Sequence, residues 1–178
     1  MVGFVKGLIT VMATCCLLVT AAAVPAPEVD YVNLIKTAPG YPTVKELGLT
    51  NEDFAQGVPE LRPLVARSLL EKRVDFKPYC RVVRRCTVSD AEACFKYLSS
   101  LGDKACDVGV LRVQLCRMGD CAWNARPVNT FSGTKSSCLN VAMGGSWILK
   151  NCVVNGQVSG LNTAYGNGNM VIDISGPL

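Results

Sequence analysis

The chain has 178 residues, a formal net charge of +4, 10 cysteines and no histidine. The absence of histidine excludes Ser-His-Asp and Cys-His catalysis and removes the commonest metal ligand. The basic residues are scattered along the chain, so the charge predicts no nucleic-acid partner and at most a weak attraction to anionic polymers.

The N-terminus has the features of a secretory signal peptide. Residues 1–6 carry one positive charge, residues 7–20 form a continuous apolar run, and residues 21–23 are the small residues that a signal peptidase reads. The run is short for a bilayer span, and Pro25 and Pro27 follow it, so we favour cleavage after Ala23 over a membrane anchor. Cleavage discards two cysteines and leaves an even number, as a closed set of disulfides requires.

Residues 24–73 are predicted to be a propeptide. They contain no cysteine, six prolines, and six basic against seven acidic residues. Short helices are predicted at residues 44–47 and 61–70, and residues 50–53 are predicted to cap a turn. No strand pattern and no independent core are predicted in this segment.

The dibasic pair Lys72-Arg73 ends this segment, and the composition changes sharply there. Neighbouring basic residues are common on solvated surfaces, but the coincidence with the composition change favours a processing site. We predict that a subtilisin-like protease cuts after Arg73. A second dibasic pair, Arg84-Arg85, is predicted to be shielded by folding and by disulfides.

Residues 74–178 are predicted to be the mature domain, with eleven basic and seven acidic residues. Their cysteine density is typical of secreted domains that depend on disulfides. The eight cysteines are Cys80, Cys86, Cys94, Cys106, Cys116, Cys121, Cys138 and Cys152. They can form four bridges, and the sequence does not choose the pairing. A zinc site is disfavoured because no close Cys-x-x-Cys pair is present, and no metal or cofactor is expected.

The first half of this domain is predicted to contain an extended segment, a helix and a hairpin. Residues 76–88 are predicted to be extended, and residues 90–101 to form a helix that Ser89-Asp90 caps and Gly102 ends. Residues 108–116 alternate like a half-buried strand, and residues 121–125 return as its hairpin partner.

The second half is predicted to contain another helix and a terminal strand pair. The helix covers residues 137–152, and the strands cover residues 157–164 and 170–175 with a turn at residues 166–168. The fold class is therefore predicted to be α+β. Two helices pack on one face of a small antiparallel sheet, an α/β sandwich stapled by disulfides.

Two stretches carry a resemblance to a known group. Residues 113–123 (VQLCRMGDCAW) and residues 152–174 (CVVNGQVSGLNTAYGNGNMVIDI), with a helix between them, resemble the killer-toxin-like and necrosis-inducing-factor-like effector domains of filamentous fungi. The cysteine spacing around the helix departs from that group. The resemblance implies an α/β sandwich and a virulence role at a host or competitor cell surface, such as the plant apoplast. It carries over no catalytic residue.

Four residues are candidates for binding a partner. Trp123 and Tyr165 have side chains suited to anchor a receptor or a glycan, although aromatic residues in a small domain belong more often to the core. Arg84 and Arg85 are suited to face an acidic partner, although a solvated basic face is the commoner reason for such residues.

Three function classes stay open. The first and favoured class is a secreted effector that binds a host protein, extracellular or translocated, without catalysis and as a monomer. The second is an antimicrobial or killer-type toxin that acts on the membranes or channels of competing microbes. The third is an extracellular hydrolase that uses the carboxylates of Asp120 and Asp173, since a glycosidase requires two facing acids.

Overall fold

The computed structural model describes residues 28–56 and 76–177. The helices in these ranges are α1 (Tyr31–Leu34), α2 (Asn51–Ala55), α3 (Val88–Ser100) and α4 (Cys138–Asn151). The strands are β1 (Lys36–Thr37), β2 (Tyr79–Cys80), β3 (Cys86–Thr87), β4 (Ala105–Val108), β5 (Val113–Met118), β6 (Cys121–Pro127), β7 (Thr134–Ser137), β8 (Val153–Val154), β9 (Gln157–Val158), β10 (Gly160–Ala164) and β11 (Asn167–Ser175). The predicted signal peptide, the Lys72-Arg73 pair and the predicted helix at residues 61–70 lie outside the described residues.

The strands form three antiparallel sheets. The central sheet has the order β1-β5-β6-β11-β10-β2, a second sheet has the order β3-β9-β8, and β4 pairs with β7. The prediction of a mixed fold of helices and antiparallel sheet with disulfides is confirmed. The described residues contain four helices and three sheets, so the simpler picture of two helices on a single sheet was incomplete.

The two long helices pack against each other and against the central sheet around Trp123. The Trp123 side chain is fully buried, and its indole N–H donates to the carbonyl oxygen of Ala91 in α3 at 3.1 Å. A Cβ on Gly145 in α4 would lie 2.1 Å from the Trp123 ring. The glycine at this position therefore lets α4 approach the ring closely, which offsets its low helix propensity.

Four disulfides connect the elements of residues 76–177. The pairs are Cys80–Cys152, Cys86–Cys121, Cys94–Cys116 and Cys106–Cys138. Cys94 bridges α3 to β5. Cys138, the first residue of α4, bridges that helix to β4, and Cys152, which follows α4 directly, is bridged to β2. All eight predicted cysteines are thus in disulfides.

Two local predictions were wrong. Residues 108–116 form two strands instead of one, because β4 ends at Val108 and β5 begins at Val113. Leu111 between them is 76 % exposed, so it does not belong to the apolar alternation that Val113 and Leu115 follow. Residues 44–47 form a turn in place of a helix.

The segment of residues 28–56 packs onto the domain, although no strand and no core were predicted there. Its strand β1 pairs with β5, and Ile35, Val44 and Phe54 are buried in the common core. Residues 50–53, predicted to cap a turn, instead begin the helix α2, where the Asp53 carboxylate accepts from the backbone N–H of Thr50 at 2.8 Å.

Candidate functional site: the arginine face of the central sheet

The central sheet presents two chemically different faces. Trp123 in β6 lies opposite Ile174 in β11, and both side chains are buried toward the helices. The next residue, Asn124, lies opposite Asp173 and points to the other face, because side chains alternate along a strand. Two arginines that bind Asp173, and two more that line a cleft together with one of them, define what we call the arginine face. They are Arg81, Arg84, Arg112 and Arg117.

Asp173 is the electrostatic centre of the arginine face. Its side chain is 7 % exposed, and it binds Arg81 through two N–H···O contacts of 3.2 Å each and Arg112 through one of 3.3 Å. Charge-assisted contacts of this kind compensate a carboxylate for its loss of water. The two arginines reach Asp173 from the two flanks of its strand β11, since Arg81 follows β2 on one flank and Arg112 precedes β5 on the other.

This anchoring fixes two loops that carry exposed aliphatic side chains. Val82 and Val83, which follow Arg81, are 83 % and 61 % exposed. Val110 and Leu111, which precede Arg112, are 64 % and 76 % exposed. Aliphatic groups held in water beside basic groups are typical of a surface that binds another protein.

A shallow cleft of about 230 Å³ lies beside these loops. Its lining includes one acidic residue, Asp120, and a larger set of residues with N–H donors, which are Arg84, Arg112, Arg117, Gln114 and Asn124. Such a donor set suits a carboxylate or another planar anionic group, because a guanidinium binds these with two parallel hydrogen bonds. The cleft is therefore the polar part of the candidate binding surface.

The structure places one of the four predicted binding residues at this surface. Arg84 has a left-handed backbone with φ of 55°, and it is fixed to the chain end, where its side chain donates to the carbonyl oxygen of Gly176 at 3.2 Å. Arg85 is half-buried beside it. Trp123 is fully buried, so it is a core residue and does not serve as an exposed anchor.

Tyr165 lies far from the arginine face. It precedes β11, whereas Arg84 contacts Gly176 just after the end of that nine-residue strand. Nine residues of strand extend roughly 27 Å. The Tyr165 N–H donates to the carbonyl oxygen of Asn140 in α4, and the side chain is half-buried. Tyr165 and Arg84 therefore do not form one site.

The two candidate catalytic aspartates are also separated. Asp120 precedes β6, and Asp173 lies opposite Asn124, which is four residues further along that strand. The two backbone positions are therefore separated by roughly 13 Å along the strand direction. Inverting glycosidases hold their carboxyl groups about 6.5–9.5 Å apart. Asp120 instead accepts hydrogen bonds from the backbone and hydroxyl of Thr87, at 2.9 and 3.1 Å. This geometry does not favour the hydrolase hypothesis.

Asp90 lies in the first turn of α3, beside the turn between β5 and β6. Burial raises its pKa above the ordinary value, whereas the hydrogen bond from the Asp120 backbone opposes this rise and the Asp120 carboxylate adds to it. The backbone N–H of Asp120 donates to Asp90 at 3.2 Å, and a Cβ on Gly119 would lie 2.1 Å from the Asp90 carboxylate. Asp90 thus ties the start of α3 to the β5–β6 turn.

The exposed aliphatic residues were missed by sequence reasoning. Val82 and Val83 were assigned to an extended segment, and Leu111 was assigned to a buried strand face. The available signal was that each aliphatic pair adjoins an arginine in a stretch bounded by a glycine or a cysteine. That signal does not say where the arginines point, which depends on Asp173 far along the chain.

Two further properties hold for residues 28–56 and 76–177. No group of three or more histidine, cysteine, aspartate or glutamate side chains in these ranges has the geometry of a metal site. Within the same ranges no helix has both the length and the apolar character needed to cross a bilayer.

The fold and the surface together define a disulfide-stabilised α+β domain with a face that carries arginines and exposed aliphatic side chains. The chain belongs to the family described as "Domain of unknown function (DUF8794)", whose model matches residues 77–176. The match covers the disulfide-bonded domain and leaves out the docked segment of residues 28–56. No curated protein and no solved structure matches the chain.

Proposed function

We propose that the protein is a secreted effector that acts without catalysis, by binding a host protein through the arginine face. The observation that carries the proposal is the anchoring of Arg81 and Arg112 to Asp173, which holds four aliphatic side chains exposed beside a basic cleft. A surface that is already ordered loses little conformational entropy on binding. Disulfides in every part of the domain support the same role outside the cell.

The chemistry of the arginine face indicates the kind of partner. Val83 and Leu111 favour a partner with an apolar patch, and the cleft at Arg84, Arg112 and Arg117 favours carboxylate groups at the edge of that patch. Such a combination uses apolar burial for affinity and charge for orientation. The partner is therefore a protein surface with acidic residues around exposed apolar side chains.

Paired variants of the full chain test this proposal. Val83→Asp combined with Leu111→Asp places negative charge in the apolar part of the face, whereas Phe131→Asp makes the same change at a fully exposed residue in a different loop. The secreted proteins are infiltrated into leaves, and necrosis or suppressed defence is scored. We expect the double variant to need at least about 30-fold more protein for the same response, as loss of a central binding contact does.

The control variant and two parallel assays decide the outcome. Phe131→Asp is expected to match the original protein, and equal activity of all three proteins would contradict the proposal. Inhibition of fungal or bacterial growth that is lost at high salt would favour the antimicrobial alternative instead. Hydrolytic activity that Asp120→Asn or Asp173→Asn abolishes would favour the hydrolase.

A further inference from the structure

Residues 28–56 occupy an edge of the central sheet. Lys36 and Thr37 pair with Arg117 and Cys116 of β5 in antiparallel register, and the N–H of Ala38 donates to the carbonyl oxygen of Leu115 at 3.2 Å. An edge strand without a partner leaves a row of backbone groups that can pair with another chain. The segment therefore covers a position on the sheet that accepts an extended peptide.

The segment also fills apolar depressions beside this edge. Ile35 is 8 % exposed, Val44 is 1 % exposed and Phe54 is 5 % exposed, and all three belong to the same core as α3. The ring of Tyr31 stacks on Phe54 with a centroid distance of 5.5 Å. Burial of three such side chains contributes a substantial part of the free energy with which a short peptide binds a protein.

Polar contacts connect the segment to α3 and β4. The Tyr97 hydroxyl donates to the carbonyl oxygen of Pro42 at 2.8 Å, and the Lys96 ammonium donates to the carbonyl oxygen of Phe54. The N–H of Asp107 donates to the Tyr41 hydroxyl at 2.9 Å. Burial raises the pKa of Tyr97 to about 12, so its hydroxyl remains a donor at physiological pH. The contacts are spread over the whole length of the segment.

We infer that this surface is an interaction site for an extended chain and that residues 28–56 remain bound there, without a covalent link, after cleavage at Lys72-Arg73. Residues 24–73 contain no cysteine, so the peptide chain is their only covalent connection to the domain. Cleavage removes that connection but none of the contacts described above. The product is then a two-chain protein whose smaller chain occupies the sheet edge. The inference does not depend on what the arginine face binds.

The test begins with the secreted full chain, cut with a dibasic-specific protease. Where Lys72-Arg73 resists, a recognition site for a specific protease replaces that pair, which separates this test from the question of natural processing. The cut protein is passed over a size-exclusion column at micromolar concentration, and mass spectrometry identifies the polypeptides in each fraction by their masses. We expect both pieces in one peak, and a labelled peptide of residues 28–56 is expected to exchange into it.

Matched variants identify the docking contacts. Ile35→Ala removes a buried side chain, whereas Leu34→Ala changes its 50 % exposed neighbour. We expect Ile35→Ala to weaken retention by at least about 30-fold, the low end for a buried isoleucine, and Leu34→Ala to change it less than about threefold. Tyr97→Phe, which removes only a hydroxyl, is expected to weaken it by about fivefold.

Two results would overturn the inference. One is separation of the two pieces at micromolar concentration while the larger piece keeps its disulfides and its circular dichroism. The other is equal retention of the Ile35→Ala and Leu34→Ala segments. Loss of activity in the arginine-face variants would leave both results unaffected, so failure of one proposal is distinguishable from failure of the other.

Discussion

The segment of residues 28–56 and the domain of residues 76–177 are held together by different means. The domain has four disulfides and long elements, such as the 14-residue α4 and the nine-residue β11. The segment has no cysteine, and its elements contain four, two and five residues. Disulfides restrict the conformations of the unfolded chain and remain intact when it opens. Apolar contacts and hydrogen bonds break on opening, and another molecule can then form equivalent ones. The comparison indicates a permanent domain and a replaceable segment.

Loss of a disulfide is the largest expected disruption of the domain. Cys80→Ser combined with Cys152→Ala opens a loop with a sequence separation of 72, and Cys94→Ala combined with Cys116→Ala opens one of 22. Loop entropy predicts losses of about 4 and about 3 kcal/mol in the free energy of unfolding. Denaturant unfolding of the full chain measures both. A smaller loss for the longer loop would show that loop entropy does not set the order.

Phe54→Ala tests the replaceable nature of the segment. Truncation of this buried side chain is expected to lower the free energy of local opening of residues 28–56 by about 3 kcal/mol. Residues 76–177 are expected to keep their protection, because their bridges are untouched. Hydrogen exchange measured peptide by peptide checks this, with Phe131→Ala at a fully exposed position as the control. Equal loss of protection in both regions would mean that they unfold as one unit.

Gly145→Ala tests the packing of the domain itself. The added methyl group would overlap the Trp123 ring, so we expect a loss of about 2 kcal/mol in the free energy of unfolding. Gly109→Ala is the matched control, since a Cβ there has no heavy atom within 4 Å. Denaturant midpoints of the two variants measure the difference. If both variants have the same midpoint, close approach of α4 to Trp123 is not needed.

Asp90→Asn is expected to have the smallest effect and to depend on pH. Burial raises the pKa of Asp90 in the folded protein, so the folded state binds the proton more tightly than the unfolded state. This residue therefore adds stability as the pH falls from 7 through its raised pKa toward the ordinary aspartate value. The asparagine variant is expected to lack this gain. Urea midpoints at pH 7 and pH 4 compare the two, and an unchanged difference between these midpoints would refute the assignment.

The regular elements of the domain could be predicted from the sequence because their signals are local. Ser137 begins the predicted second helix, and in the structure it caps α4 by accepting from the N–H of Asn140 at 3.2 Å. Gly102 follows α3 with φ of 55°, as a C-terminal glycine does. The β5–β6 hairpin and the β10–β11 pair are the predicted strand pairs, although β11 begins three residues before its predicted start and is buried on both faces over residues 170–175.

The docking of the segment and the arginine face could not be predicted, because both depend on distant partners. Lys36 and Thr37 form a strand only because the edge of β5 is there to pair with them. Arg81 lies 92 residues from Asp173, and no local pattern relates the two. The disulfide pairing could not be predicted for the same reason, since each bridge joins residues that only the complete fold brings together.

Native mass spectrometry of the secreted and processed protein tests the two-part account most directly. The account predicts one complex that contains a piece ending at Arg73 and a piece beginning at Val74. On reduction the larger piece is expected to gain the eight hydrogens of four disulfides, and the smaller piece none. A larger piece that is found alone under native conditions, or an uncut chain that begins at Val24, would contradict the account.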